Sequence, residues 1–106
     1  MKETIYVLTR EELLNNIERG VIVSELHRLP NIGKTMQKRL AEIGIVNSNE
    51  LYELGSRVAF AKLRLHEGDT CFSALCALEG AVQGIRWHNL DQEVKKELKE
   101  FFDSFE

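Results

Sequence analysis

Residues 29 to 45 read Leu29-Pro30-Asn31-Ile32-Gly33-Lys34-Thr35-Met36-Gln37-Lys38-Arg39-Leu40-Ala41-Glu42-Ile43-Gly44-Ile45, and this stretch holds the only proline of the chain. Pro30 disfavours helical φ/ψ at Leu29, so a short helix opened by Ser24 is expected to stop there. Asn31 is the best non-glycine residue for a positive φ. Gly33 is expected to let another backbone come close. A helix is predicted over 34–43, with Met36, Leu40 and Ile43 inward at spacings of four and three. The free amides of Gly33, Lys34 and Thr35 then sit at a helix start, where the dipole favours an anion. Arg28, Lys34, Lys38 and Arg39 lie in the acid-free run from Arg28 to Ala41.

On either side of this turn, glycines at 20, 33, 44, 55, 68, 80 and 84 punctuate a series of short helical patterns. Thr9 to Glu12 is a capping box ahead of Leu13, Leu14 and Ile17, with Gly20 as the stop. Ile5–Leu8 and Val21–Val23 are β-branched and read as extended arms, because two such strands alone are marginal. Asn47 and Glu50 form a second capping-box pattern that opens a helix over 48–54. Ser56 opens another to about His66, with Val58, Phe60, Ala61, Leu63 and Leu65 as its apolar positions. Asp69 or Thr70 is expected to cap an apolar helix from Cys71 to about Gln83. A last helix starts near Asn89 or Asp91, with Val94, Leu98, Phe101, Phe102 and Phe105 in one stripe. The fold class is therefore all-α: a small bundle of about six short helices, with residues 1–23 as an N-terminal extension and 24–106 as the helical domain.

The chain's 106 residues make one domain. No apolar run reaches the ~20 residues of a membrane span, and an acid at position 3 argues against a secretory signal. Two cysteines without a framework point to a reducing, cytoplasmic setting. Net charge is −3 but unevenly spread: residues 25–66 have seven bases against four acids, whereas 67–106 have four bases against nine acids. Such a chain is a poor general nucleic-acid binder with room for one small basic face.

The turn Leu29-Pro30-Asn31-Ile32-Gly33-Lys34, followed by Leu40, resembles a helix-hairpin-helix motif, in which Asn31 stands where glycine is usual. Taken with Gly44-Ile45, Glu50-Leu51, Leu54-Gly55 and the block Ala77-Leu78-Glu79-Gly80-Ala81-Val82-Gln83-Gly84-Ile85-Arg86-Trp87-His88, it resembles the C-terminal domain of the TfoX/Sxy family over about residues 24–104. The resemblance implies a helix-hairpin-helix-like bundle of SAM-like architecture. Full-length members of that family have a separate N-terminal domain and regulate natural DNA uptake (competence) by acting on transcription.

The first reading is a non-catalytic regulatory module acting on DNA or on a DNA-bound transcription protein, with a nucleic-acid contact implied by turn and charge that comprises Arg28, Asn31, Gly33, Lys34, Thr35, Lys38 and Arg39. One hairpin of this kind gives weak, salt-dependent, non-specific affinity of order 10⁻⁴–10⁻⁶ M. The alternative is a protein-interaction or homodimerisation domain using the N-terminal arm or Phe101, Phe102 and Phe105, whose simplest role is core. Cys71 and Cys76 lie about 140° apart on a helix and read as buried structural thiols. His27, His66 and His88 have no ligand spacing, so no metal is assigned. Glu79, in an apolar helix, is expected to bond Arg86 or a helix start. Ala74, Ala77, Ala81 and Gly84, with Gly80, form a stripe suited to a close helix crossing. Trp87 is expected to lid the core with its indole N–H on a carbonyl. No catalytic set, phosphate loop or dinucleotide fingerprint is present, so neither an enzyme nor a cofactor is expected.

Overall fold

A computed structural model describes residues 25–105. The Thr9–Glu12 capping box with its helix, the arms at 5–8 and 21–23 and the Ser24 cap lie outside the described residues. Among the described residues there are four α-helices and two single 3-10 turns, and no strand. The helices are α1 (Lys34–Glu42), α2 (Ser48–Glu67), α3 (Phe72–Gln83) and α4 (Gln92–Asp103). The 3-10 turns are Leu26–Arg28, ahead of α1, and Trp87–Asn89, ahead of α4.

The count differs from about six helices for two physical reasons. The helix expected before Pro30 is only one 3-10 turn, closed by Leu29 N–H on Leu26 O at 2.9 Å. The helices expected over 48–54 and 56–66 run together as α2, which bends at Gly55, where φ is 81° and ψ 167°. That left-handed φ is easily taken by glycine and costs other residues about 1–2 kcal/mol.

The start of α2 is built as its sequence suggests. Asn47 Oδ1 accepts the Glu50 N–H at 2.9 Å, while Glu50 Oε1 accepts from Val46 N–H at 2.7 Å. Glu25 adds a cap from across the fold, accepting from Ser48 N–H and Ser48 Oγ at 2.8 Å each. Burial pushes the Glu25 carboxyl up, but these bonds and the Arg28 charge outweigh it and leave its pKa below the ordinary 4.5.

α3 is the central element. Seven of its residues, Ala74 to Leu78 with Gly80 and Ala81, are buried. It packs most broadly on α2, then on α4 and the 87–89 turn. Phe60, Leu63, Leu75, Leu78 and Leu98 are all 0% exposed and join Leu26, Leu40, Ile45 and Leu51 in one core. Each contributes about 1.5–3 kcal/mol by leaving water. Phe101, Phe102 and Phe105 of the α4 stripe are half-buried against this core. Their rings lie 6.4, 5.9 and 5.7 Å from Phe60, and Phe102 also meets Phe72 at 5.5 Å.

Several expectations need correction. Val58 and Leu65 are 45% and 88% exposed rather than inward, because the helical period of about 100° per residue sets them on the side of α2 away from Ser56, Phe60 and Leu63, which face the core. The N-cap of α3 is Cys71, and the Thr70 hydroxyl turns back to Gly68 O at 3.3 Å. Cys71 is exposed rather than a buried thiol, whereas Cys76 is buried and burial raises its pKa. Glu79 bonds not Arg86 but the second of its expected kinds of partner: it takes the hydroxyl of Ser56, where the helical run resumes after the bend, at 2.5 Å, and Gln83 Nε2 at 2.6 Å. Ser56 follows the bend, so the carboxylate braces α2 where its ladder is interrupted.

Candidate nucleic-acid interface

Asn31 takes the positive φ, 70°, and is the one non-glycine residue among those described to do so. This aims its amide inward. Nδ2 donates to Ile85 O at 2.9 Å and to Ala77 O at 3.3 Å, and Oδ1 accepts from Trp87 N–H at 3.1 Å. The side chain thus ties the hairpin turn to the end of α3 and the segment after it. The Trp87 bond that holds this corner comes from its backbone N–H; its ring is half-buried against the core and stacks on His88 at 4.1 Å.

Gly33 does not admit a neighbouring backbone, contrary to expectation. Its φ is −92° and ψ −176°, an extended geometry, and a Cβ built there meets nothing within 4 Å. The glycine that makes room is Gly80. A Cβ there would collide with Asn31 Nδ2 and lie 2.7 Å from Ile85 O. Within the small-residue stripe of α3, Gly80 and the Ala77 carbonyl therefore receive the Asn31 side chain, and Gly80 the chain at 85–87. Gly84 stands outside that stripe, as the left-handed cap of α3 with φ 79°.

A second tie joins the first turn to α1. Gln37 Oε1 accepts the His27 N–H at 2.8 Å and lies 2.8 Å from His27 Nδ1. Asn31 and Gln37 hold the turn from below, and Ile32 is 4% exposed beneath it.

Its outer side is open. Arg28, Gly33, Lys34, Thr35 and Lys38 are exposed. Lys34 and Lys38 are four residues apart and share a face of α1. The first turn of α1 holds no acid, and no side chain caps it. Its first N–H groups therefore lack intrahelical partners and, with the dipole, favour an anion.

Arg39 does not join this face. Its Nε and Nη2 donate to Glu67 Oε2 and Oε1 at 2.7 Å each. That bond raises the arginine pKa further and holds the Glu67 carboxyl below its usual value. With His66 Nε2 3.5 Å from Glu42, it fastens the far part of α1 to the end of α2. Of the seven candidate residues, five thus form the outer face, Asn31 anchors it from inside, and Arg39 is an interhelical tie. The Gln37, Gly80 and Glu67 contributions escaped the sequence reading, since each depends on a partner at least ten residues away. Phe101, Phe102 and Phe105 lie elsewhere, in the aromatic cluster of α4. Among the described residues, no group of three or more His, Cys, Asp or Glu side chains is placed to hold a metal ion, and no helix is long and apolar enough to cross a membrane.

Over the described residues, fold and site together define a small helical domain with an exposed turn at a cationic helix start. The TfoX C-terminal domain family matches residues 22–102, and the chain belongs to that family. Two solved structures from Listeria monocytogenes are similar to it. One, a triclinic crystal form of an uncharacterized protein, has a TM-score of 0.74 and 49% identity, covering 76% of this chain and 91% of that chain. The other, a tetragonal form of a protein of unknown function, has the same TM-score and identity and covers 76% of this chain and 99% of that chain. No curated protein matches.

Proposed function

We propose that this domain is a non-catalytic, cytoplasmic regulatory module related to competence regulators, which touches DNA phosphates weakly through a helix-hairpin-helix-like turn. The observation that carries the reading is the open start of α1: uncapped amides beside Lys34 and Lys38, with Arg28 nearby and no acid in the first turn. Membership of the TfoX C-terminal family supports a regulatory role. Because Arg39 is bonded to Glu67, the contact rests on about three cations, and affinity stays in the range of order 10⁻⁴–10⁻⁶ M. An assembly held on DNA by other proteins would make use of so weak a contact through effective concentration.

The test is binding to generic double-stranded DNA over a salt series. The reading expects binding at about 50 mM salt that weakens steeply as salt rises. Lys34→Gln with Lys38→Gln lowers the log–log salt slope by roughly 2, one for each lost phosphate contact. Arg39→Gln, by contrast, leaves the slope unchanged. Absence of binding at low salt, or a slope indifferent to the double substitution, overturns the DNA contact.

A further inference from the structure

A concavity lies beside the turn at Asn31. It is a groove of about 390 Å³ between Asn31, the start of α3 and the segment at 86–87. Met36, Ala74 and Ala77 line it, each no more than 9% exposed. Arg39, Cys71, Ser73, Arg86 and Trp87 complete the lining. The groove is open to solvent, and its volume lies toward the low end of the roughly 300–1,000 Å³ of small-molecule sites.

The charges decide what kind of molecule fits. Both titratable side chains of the walls other than the Cys71 thiol are guanidinium groups. The bidentate bond to Glu67 offsets the charge of Arg39. It uses two of about five N–H donors and leaves roughly three. The Arg86 guanidinium has no ion pair or hydrogen bond with a described residue. The walls therefore offer one uncompensated positive charge and several donors above an apolar floor. An organic molecule with one anionic group matches that arrangement; a neutral one leaves Arg86 unanswered, and a cation is repelled.

We propose that this groove binds a small organic acid, its apolar or aromatic body over Met36, Ala74 and Ala77 and its carboxylate or phosphate paired with Arg86 and the remaining donors of Arg39. The site is separate from the exposed face of α1 and does not depend on DNA binding.

The experiment is an amide NMR titration of the whole chain with phenyl phosphate, phenylacetate and, as the neutral control, benzyl alcohol. Saturable shifts are expected at the amides of residues 71–74 and at the Trp87 indole with at least one of the two anions, and not with benzyl alcohol. Arg86→Gln, at an exposed position whose guanidinium has no partner among the described residues, should weaken that binding at least about tenfold, the loss of one charge-assisted contact. The Lys34→Gln, Lys38→Gln chain should bind the anion as the parent does. The proposal is overturned if neither anion gives saturable shifts up to about 10 mM. It is equally overturned if benzyl alcohol binds as well, or if Arg86→Gln changes nothing.

Discussion

Asn31 combines two properties that alanine lacks: it tolerates a φ of 70°, and it carries a donor and an acceptor on one short arm. Its three bonds reach Ala77, Ile85 and Trp87, all on the far side of the sequence. Asn31→Ala is expected to cost about 3 kcal/mol, the sum of backbone strain and partners left without a bond. Asn31→Gly, which relieves the strain but not the lost bonds, should recover only about 1 kcal/mol of that, measured by urea unfolding. Gly80 and Gly33 provide a matched contrast. Gly80→Ala pushes a methyl group into Asn31 and the Ile85 carbonyl and should cost at least about 2 kcal/mol. Gly33→Ala meets open space, and as an N-cap change should cost less than about 1 kcal/mol. Equal costs in the two variants would contradict this assignment of their roles.

The helices show which local signals were sufficient. The Asn47 and Glu50 cap, the α4 stripe and the stop of α3 at Gln83 all follow from short-range spacing, because their partners lie within a few residues. The cap that Glu25 places on α2 does not, since its partner Ser48 is 23 residues away. It has a pH signature. The folded carboxyl pKa lies below the unfolded value of 4.5, so the cap's stabilisation is complete above that value and is lost as pH falls through the lower, folded one. Glu25→Gln should therefore reduce stability by about 1 kcal/mol at neutral pH. The difference from the parent should shrink as pH drops below 4.5, in unfolding curves recorded across that range. A difference that stays constant with pH would mean that the charge is not what caps α2.

Over the whole molecule, charge and apolar surface are distributed so that function depends on small areas. In the proposed DNA contact, the acidic last third limits general attraction to DNA, and the open start of α1 would act against it. Hence the steep salt dependence expected of binding, and its sensitivity to Lys34 and Lys38 but not to Arg39. Leu51 and Phe60, nine residues apart on either side of Gly55 and both 0% exposed, share one core because the helix bends between them. A straight helix through Gly55 would present a different row of α2 to α3.

What the sequence by itself determined was the helical class, the positions of most helix ends, the positive φ at Asn31 and the family, because these depend on residue type and on spacing within a turn or two. The interior position of the Asn31 amide, the need for glycine at 80 rather than 33, the removal of Arg39 from the cationic face and the groove beside Arg86 were decided only by tertiary structure. Each of these is a contact between segments tens of residues apart in the chain. Local spacing carries no record of such contacts, and only the packing of α3 against the hairpin and α2 brings their partners together.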